Sequence, residues 1–275
     1  MTRIAACQLA PVPDGLAANA ELTADAVREA LAQGADVVVL PQLVTTGGVL
    51  EDAEQARAVA VASGHGVFAA WAAACTARQG SVVVGGFCEA GDDGQLYNSA
   101  AVVDATGLRA VYRCAHLWDR ERVVFAAGSA PPPVVDTVHG RIGVLVNYDL
   151  RFPEWTRTAA LAGADLLAVP VAWPAAQPGE GGGPDGQLVA AATARLERVA
   201  VACADRSGPG WTAGSCIVSA SGQLLAAAGP GRSAAWADVD PEASRDKLVA
   251  GSSDLWLDRR PELYDRLTAP RSTSG

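Results

Sequence analysis

Asn147 stands where a nucleophile is expected. Ile142 to Val146 is a short apolar run of strong β-formers, preceded by a His139-Gly140 turn. Pro153 fits the first turn of a helix continuing through Ala162. Asn147, Tyr148, Asp149 and Leu150 therefore fill the turn from a central strand into a helix. Such a turn holds one side chain over the sheet edge, beside free helix N–H groups. An amide there is neither a useful nucleophile nor a useful base. It can hydrogen-bond a ligand, or cap the following helix. Asp149 and Arg151 follow closely and could pair with one another or orient the loop.

Other reactive residue types are sparse. The only lysine is Lys247, and arginine cannot replace it as a neutral base. The cysteines at 7, 75, 88, 114, 203 and 216 form no Cys-x-x-Cys pair and read as free, buried thiols. His65 and His139 fall in turns, and His116 sits beside Leu117 and Trp118 as a structural histidine. No His, Cys, Asp or Glu set has metal-ligand spacing, so neither a metal nor another cofactor is expected. Gly179 to Gly183 is no phosphate loop, since neither a following lysine nor a preceding strand is present. A net charge of −9 and the absence of a basic patch argue against nucleic-acid or anionic-membrane partners. No apolar run is long enough to span a bilayer. Met1-Thr2-Arg3-Ile4 runs straight into a strand, which reads as a chain without a signal peptide in a reducing cytoplasm.

The elements that must position these residues alternate. Ile4–Leu9 reads as a buried strand, 16–33 as an alanine-rich helix closed by Gly34, and Val37–Leu40 as the next strand, ended by Pro41. Helix follows from about Glu51 to Arg78, broken at Ser63-Gly64-His65-Gly66. Ser81–Phe87, Leu96–Val103 and Leu108–Tyr112 form a meander with a hairpin turn at 89–95. The region 113–133 reads as a long irregular loop of the kind that carries function. After the Pro153 helix, Gly163-Ala164-Asp165, the strand Leu166–Val169 and Pro170 repeat Gly34-Ala35-Asp36, its strand and Pro41. That echo predicts two similar halves within one domain spanning 1–275, with mixed sheets. Residues 177–186 read as a mobile glycine- and proline-rich loop, 188–198 as a helix, and 199–204, 214–218, 224–228 and 233–239 as strands. From Pro241 a tail with Trp256, Leu257, Leu263 and Tyr264 packs on its own domain or on a partner subunit.

Several linked segments resemble the nitrilase superfamily of carbon–nitrogen hydrolases: Leu40-Pro-Gln-Leu43, Tyr97-Asn-Ser-Ala100, Tyr112-Arg-Cys-Ala-His-Leu117, Gly143 through Glu154, Val169-Pro-Val-Ala-Trp-Pro174, Ala194-Arg-Leu-Glu197 and Arg259-Arg-Pro-Glu-Leu-Tyr264. The resemblance covers nearly the whole chain. It implies an α/β fold, an αββα four-layer sandwich with mixed β-sheets, assembled as a homodimer or higher homo-oligomer. It also implies cofactor-free acyl transfer by a cysteine, with a glutamate base, a lysine and a second glutamate. In this chain the base glutamate falls on Gln42, the lysine on Cys114 and the cysteine on Asn147, while the second glutamate falls on Glu121. The usual chemistry then lacks its thiolate, its proton acceptor and its oxyanion donor.

The changes are mutually consistent, because stripping most of the charge together avoids leaving one buried charge without its partner. One reading is a non-catalytic protein that binds a small molecule or a partner. The other is a repurposed enzyme performing hydrolysis, condensation or cyclisation on a small amide-like or amine-bearing metabolite. It would use Glu121 and Cys114, with Glu121 or His116 as base. An ordinary hydrolase is the least favoured, since no lysine precedes Lys247. Trp118, Tyr148, Trp173 and His116 are the expected pocket-lining residues beside Gln42, Cys114 and Asn147.

Overall fold

The computed structural model describes residues 1–47, 50–175 and 185–269. It divides into two compact units, Met1–Arg245 and Asp246–Gly275, so the second unit begins close to the tail expected from Pro241.

The first unit holds two six-stranded sheets. Its elements are β1 (Thr2–Gln8), α1 (Leu16–Ala32), β2 (Val37–Val39), α2 (Ala53–Val59), α3 (Gly66–Cys75), β3 (Val82–Ala90), β4 (Leu96–Asp104), β5 (Gly107–Arg113), α4 (Glu121–Val124), β6 (Val134–Thr137), β7 (Gly140–Val144), α5 (Pro153–Leu161), β8 (Leu166–Pro170), α6 (Asp185–Glu197), β9 (Ala200–Ala204), β10 (Cys216–Val218), β11 (Leu224–Ala227) and β12 (Ser233–Val239). One sheet runs β12-β1-β2-β3-β4-β5 and the other β6-β7-β8-β9-β10-β11. In each, three parallel strands are flanked by antiparallel ones. Matching β1 to β7 reproduces the same order across both sheets. The short echo in the sequence is thus the visible part of a full internal repeat.

The repeated Gly-Ala-Asp shows why it recurs. Gly34 and Gly163 both adopt positive φ, 90° and 96°, and turn the chain off their helices. Asp36 accepts a hydrogen bond from the Arg3 backbone N–H and pairs with Arg78. Asp165 accepts from the Arg141 backbone N–H and pairs with Arg245. Each carboxylate ties the start of one parallel strand to the start of its neighbour, and in each case these bonds hold its pKa below the ordinary carboxylate value although burial alone would raise it.

Alternation builds the layers. Ile4, Ala6, Val37, Val39, Val82 and Val84 face Ile142, Val144, Ala168 and Ala202 in the core between the sheets. Ala5, Val38, Leu40 and Val83 face the opposite way, against Val27 and Leu31 of α1 and Phe68 and Trp71 of α3. Trp71 is fully buried with its indole N–H on Thr23. A side chain at Gly85 would meet its ring at 2.7 Å, so that position must stay bare.

Three differences from the sequence reading have local causes. β3 extends to Ala90 because β4 pairs with it as far as Leu96, which shortens the hairpin turn. The break expected at 63–66 in the helix over 51–78 already begins at Ala60, where Val61 bridges to Glu89, and α3 ends at Cys75. The loop over 113–133 contains the single helical turn α4. Most of the loop expected at 177–186 lies outside the described residues. In the second unit, Leu248–Ala250 pairs with Ser253–Asp254, the Asp254 carboxylate accepts from the Trp256 and Leu257 N–H groups, and Lys247 lies over the Trp256 ring.

Candidate functional site

The carboxyl ends of β2, β7 and β8 converge with the β5–β6 loop, and each contributes one part of the site. Asn147 follows β7 with φ +42°, a left-handed conformation costing most side chains ~1–2 kcal/mol and tolerated best by glycine, asparagine and aspartate. Its amide makes no hydrogen bond to any described residue, and the helix from Pro153 has no side-chain cap. The capping alternative is thereby set aside.

Asp149 fixes the turn instead. Fully buried, it accepts from Val146 N at 3.1 Å, His116 N at 3.0 Å and the Tyr112 hydroxyl at 2.6 Å, with His116 Nδ1 at 2.8 Å. The Trp155 indole donates in turn to the Tyr112 oxygen at 2.7 Å. This network ties the elbow to β5 and α5. Asp149 does not pair with Arg151, whose guanidinium bonds Asp185 at the surface. Both partners of that pair are about half exposed, at 43% and 57%, and such pairs contribute ~0–1 kcal/mol.

Gln42 is buried at the end of β2, where its N–H donates to Val171 O. Gly86 makes this possible, since a Cβ there would lie 2.6 Å from the Gln42 Cα. The Gln42 amide donates to Glu121 Oε1 at 2.6 Å, Asn98 Nδ2 donates to the same oxygen at 3.1 Å, and Trp118 N donates to Oε2 at 2.9 Å. Both Glu121 oxygens are therefore engaged. Burial raises its pKa, although the three donors pull it down.

That shift has a sign. A carboxyl whose pKa is higher folded than unfolded adds stability below its ordinary value of 4.5, and this is lost as pH rises through the folded value. Glu121→Gln removes the titration. The difference in unfolding free energy, wild type minus variant, should fall from pH 4.5 towards neutrality in urea titrations. A difference that stays flat refutes the assignment.

Cys114 is 1% exposed. Its thiol contacts His116 O at 3.2 Å and Val146 O at 3.7 Å, and its N–H donates to Asn98 O. Burial first, then the Asp149 and Glu121 carboxylates, push the thiol well above its ordinary pKa. The buried Gln42, Asn98 and Cys114 thus form one cluster with the half-buried Glu121, adjoining the elbow.

An open cavity of about 50 Å³ lies in front of Asn147, and a second, of about 200 Å³ between α5 and α6, shares Leu150, Arg151 and Val189 with it. The described lining of the first is Trp118, Asn147, Tyr148, Arg151 and Trp173, with Leu150, Pro174, Gly186 and Val189. Gln42, Cys114, Glu121 and His116 lie outside this lining. His116 stacks on Phe152 at 3.7 Å; Phe152 meets Tyr148 edge-on, and Tyr148 meets Trp118. The histidine expected in the wall is therefore beyond Phe152 from it. Trp173 is held from β9: buried Asp205 accepts from Trp173 N, Arg206 N, Thr212 Oγ1 and Gly214 N. Burial raises the Asp205 pKa against these donors. Among the described residues, no group of three or more His, Cys, Asp or Glu could hold a metal ion.

Sequence reasoning missed Asn98, Asp205 and the cavity role of Arg151. Asn98 sits in the quoted Tyr97-Asn-Ser segment, but only the β4–β5 ladder brings it to Cys114. Asp205 carried no signal beyond an acidic residue at a strand end.

The carbon–nitrogen hydrolase family model matches residues 3–246. A nitrilase of Pyrococcus abyssi is 31% identical over 97% of this chain and all of its own length. A deaminated glutathione amidase of Synechocystis is 32% identical over 62% of this chain and 66% of its own. Among solved structures, an amidase of Nesterenkonia sp. AN1, in a glutamate-to-glutamine mutant showing Michael addition of acrylamide at the active-site cysteine, superposes with TM-score 0.77. It is 27% identical, over 97% of this chain and 100% of its own. A cysteine-to-alanine mutant of the same amidase, in complex with butyramide, gives 0.76 at 28% identity over 96% of each chain.

Proposed function

We propose that this chain, which belongs to the carbon–nitrogen hydrolase family, binds a small molecule at the cavity before Asn147 and performs no thiol-based amide hydrolysis. The observation that carries this reading is the Asn147 side chain, which lines the cavity from a nucleophile-like elbow with its amide unpartnered among the described residues. The chemistry around it supports binding. Gln42 has no usable pKa, and its amide is spent on Glu121. The repurposed-enzyme reading needs Cys114 or Glu121 to reach a substrate, but the first is buried against carbonyls and the second has both oxygens occupied. Incubation with aliphatic amides and nitriles followed by intact-mass analysis tests the proposal. No acyl adduct and no ammonia release are expected; a thioester on any cysteine refutes it.

The assembly we infer is a homodimer closed through α5 and α6. Leu188, Ala192 and Leu196 recur every fourth residue on one face of α6 and are exposed, and Leu161 of α5 is exposed as well. This arrangement favours burial against a second copy. Leu188→Asp with Leu196→Asp should halve the mass seen by light scattering while the chain still melts cooperatively. An unchanged mass refutes this face.

No helix among the described residues is long and apolar enough to cross a membrane. The six cysteines are free and buried, which supports the cytoplasmic reading.

A further inference from the structure

Resting on the binding reading above, we propose that the ligand is a small carboxylate with a short apolar tail, anchored by Arg151. Arg151 is the only formally charged residue in the described lining of the cavity, and it is a cation. No lining residue among those described is a carboxylate, and the nearby Asp185 carboxylate is already spent on Arg151, so a bound amine or metal would find no free counter-charge. The planar fork of a guanidinium matches the two oxygens of a carboxylate.

Arg151 is free to exchange partners. Its bond to Asp185 joins two half-exposed side chains at the surface. A ligand carboxylate entering the cavity would take the place of the Asp185 carboxylate on the same fork. The guanidinium stays charged throughout, and Asp185 returns to water.

The rest of the lining fits the rest of such a ligand. Trp118, Tyr148 and Trp173 are aromatic walls for a short apolar tail, and Asn147 adds an unpartnered donor and acceptor. A cavity of about 50 Å³ restricts the tail to a few carbons. A phosphate dianion would find one cation where its charge asks for more, and no apolar gain.

Butyrate and butyramide are matched in shape and differ in charge. Titrated calorimetrically into the full-length protein at neutral pH, butyrate should bind at least tenfold more tightly than butyramide and inorganic phosphate. Arg151→Gln should erase the preference for butyrate over butyramide. Asp185→Asn, an exposed change, should tighten butyrate severalfold and leave butyramide unmoved. Butyramide binding as tightly as butyrate overturns the carboxylate assignment but leaves the binding reading standing. So does a preference that survives Arg151→Gln, phosphate matching butyrate, or butyrate affinity unchanged by Asp185→Asn. Failure of both butyrate and butyramide to bind overturns both.

Discussion

Asn147→Cys should acquire one acrylamide adduct per chain, at residue 147, under native conditions in which the wild type acquires none. The contrast rests on access and ionisation. Residue 147 lines the open cavity, whereas all six native thiols are buried. Burial raises the Cys7 and Cys88 thiols to about 12 and the Cys114 thiol well above the ordinary value, so thiolate is scarce at each. A new thiol at the half-buried cavity wall keeps a pKa of about 8.5. With Gln42 unable to take its proton, adduct formation should rise about tenfold per pH unit below that value. Amide turnover should stay absent, because capture of a Michael acceptor requires neither an acid–base pair nor an oxyanion donor. Mass spectrometry of tryptic peptides gives the site. Labelling of wild-type Cys114, or an unlabelled residue 147, would show that the cavity is not where the elbow opens. Adding Gln42→Glu should not help. It would set a second carboxyl against Glu121, where Gln42 now donates at 2.6 Å, with no lysine between them. Two carboxyls in that position cannot both ionise cheaply, so the double variant should lose stability as pH rises.

Asp149→Ala should be the most destabilising single change at the site. It would strand the Tyr112 hydroxyl and the Val146 and His116 N–H groups in a fully buried position. Leaving buried donors without an acceptor costs about 1–3 kcal/mol each, or about 3–5 kcal/mol for the three once local relaxation recovers part of it. For a chain of this length that is a fall in melting temperature of roughly 6–20 °C. Asp149→Asn keeps the volume, but its amide nitrogen would face donors, so most of the loss should remain. Asp136→Ala, at an exposed position of β6, is the matched control and should stay within about 0.5 kcal/mol. Equal melting temperatures for Asp149→Ala and the control would mean that the elbow is held by packing instead. The measurement also separates architecture from binding. Asp149 lies outside the cavity lining, so at temperatures where the variant remains folded its effect on ligand affinity should follow the displacement of Asn147.

The elements, their repetition and the residue types at the elbow were legible in the sequence. Those are local properties: apolar runs of strand length, glycines after helices, a proline at a helix start, and an amide at one position. Gly34-Ala-Asp36 and Gly163-Ala-Asp165 were legible because a turn needing positive φ and a carboxylate bonding the next strand are specified by three adjacent residues. Tertiary structure alone decided what each altered residue touches. Gln42 meets Glu121 across 79 positions, and Tyr112 meets Asp149 across 37. No periodicity encodes such pairs, because they depend on which strand ends the two sheets bring together. Arg151 shows the same limit from the other side. In the sequence it is one of two charges after an elbow, and only the packing of α6 against the turn separates it from Asp149 and makes it the lone charge in the described wall of the cavity.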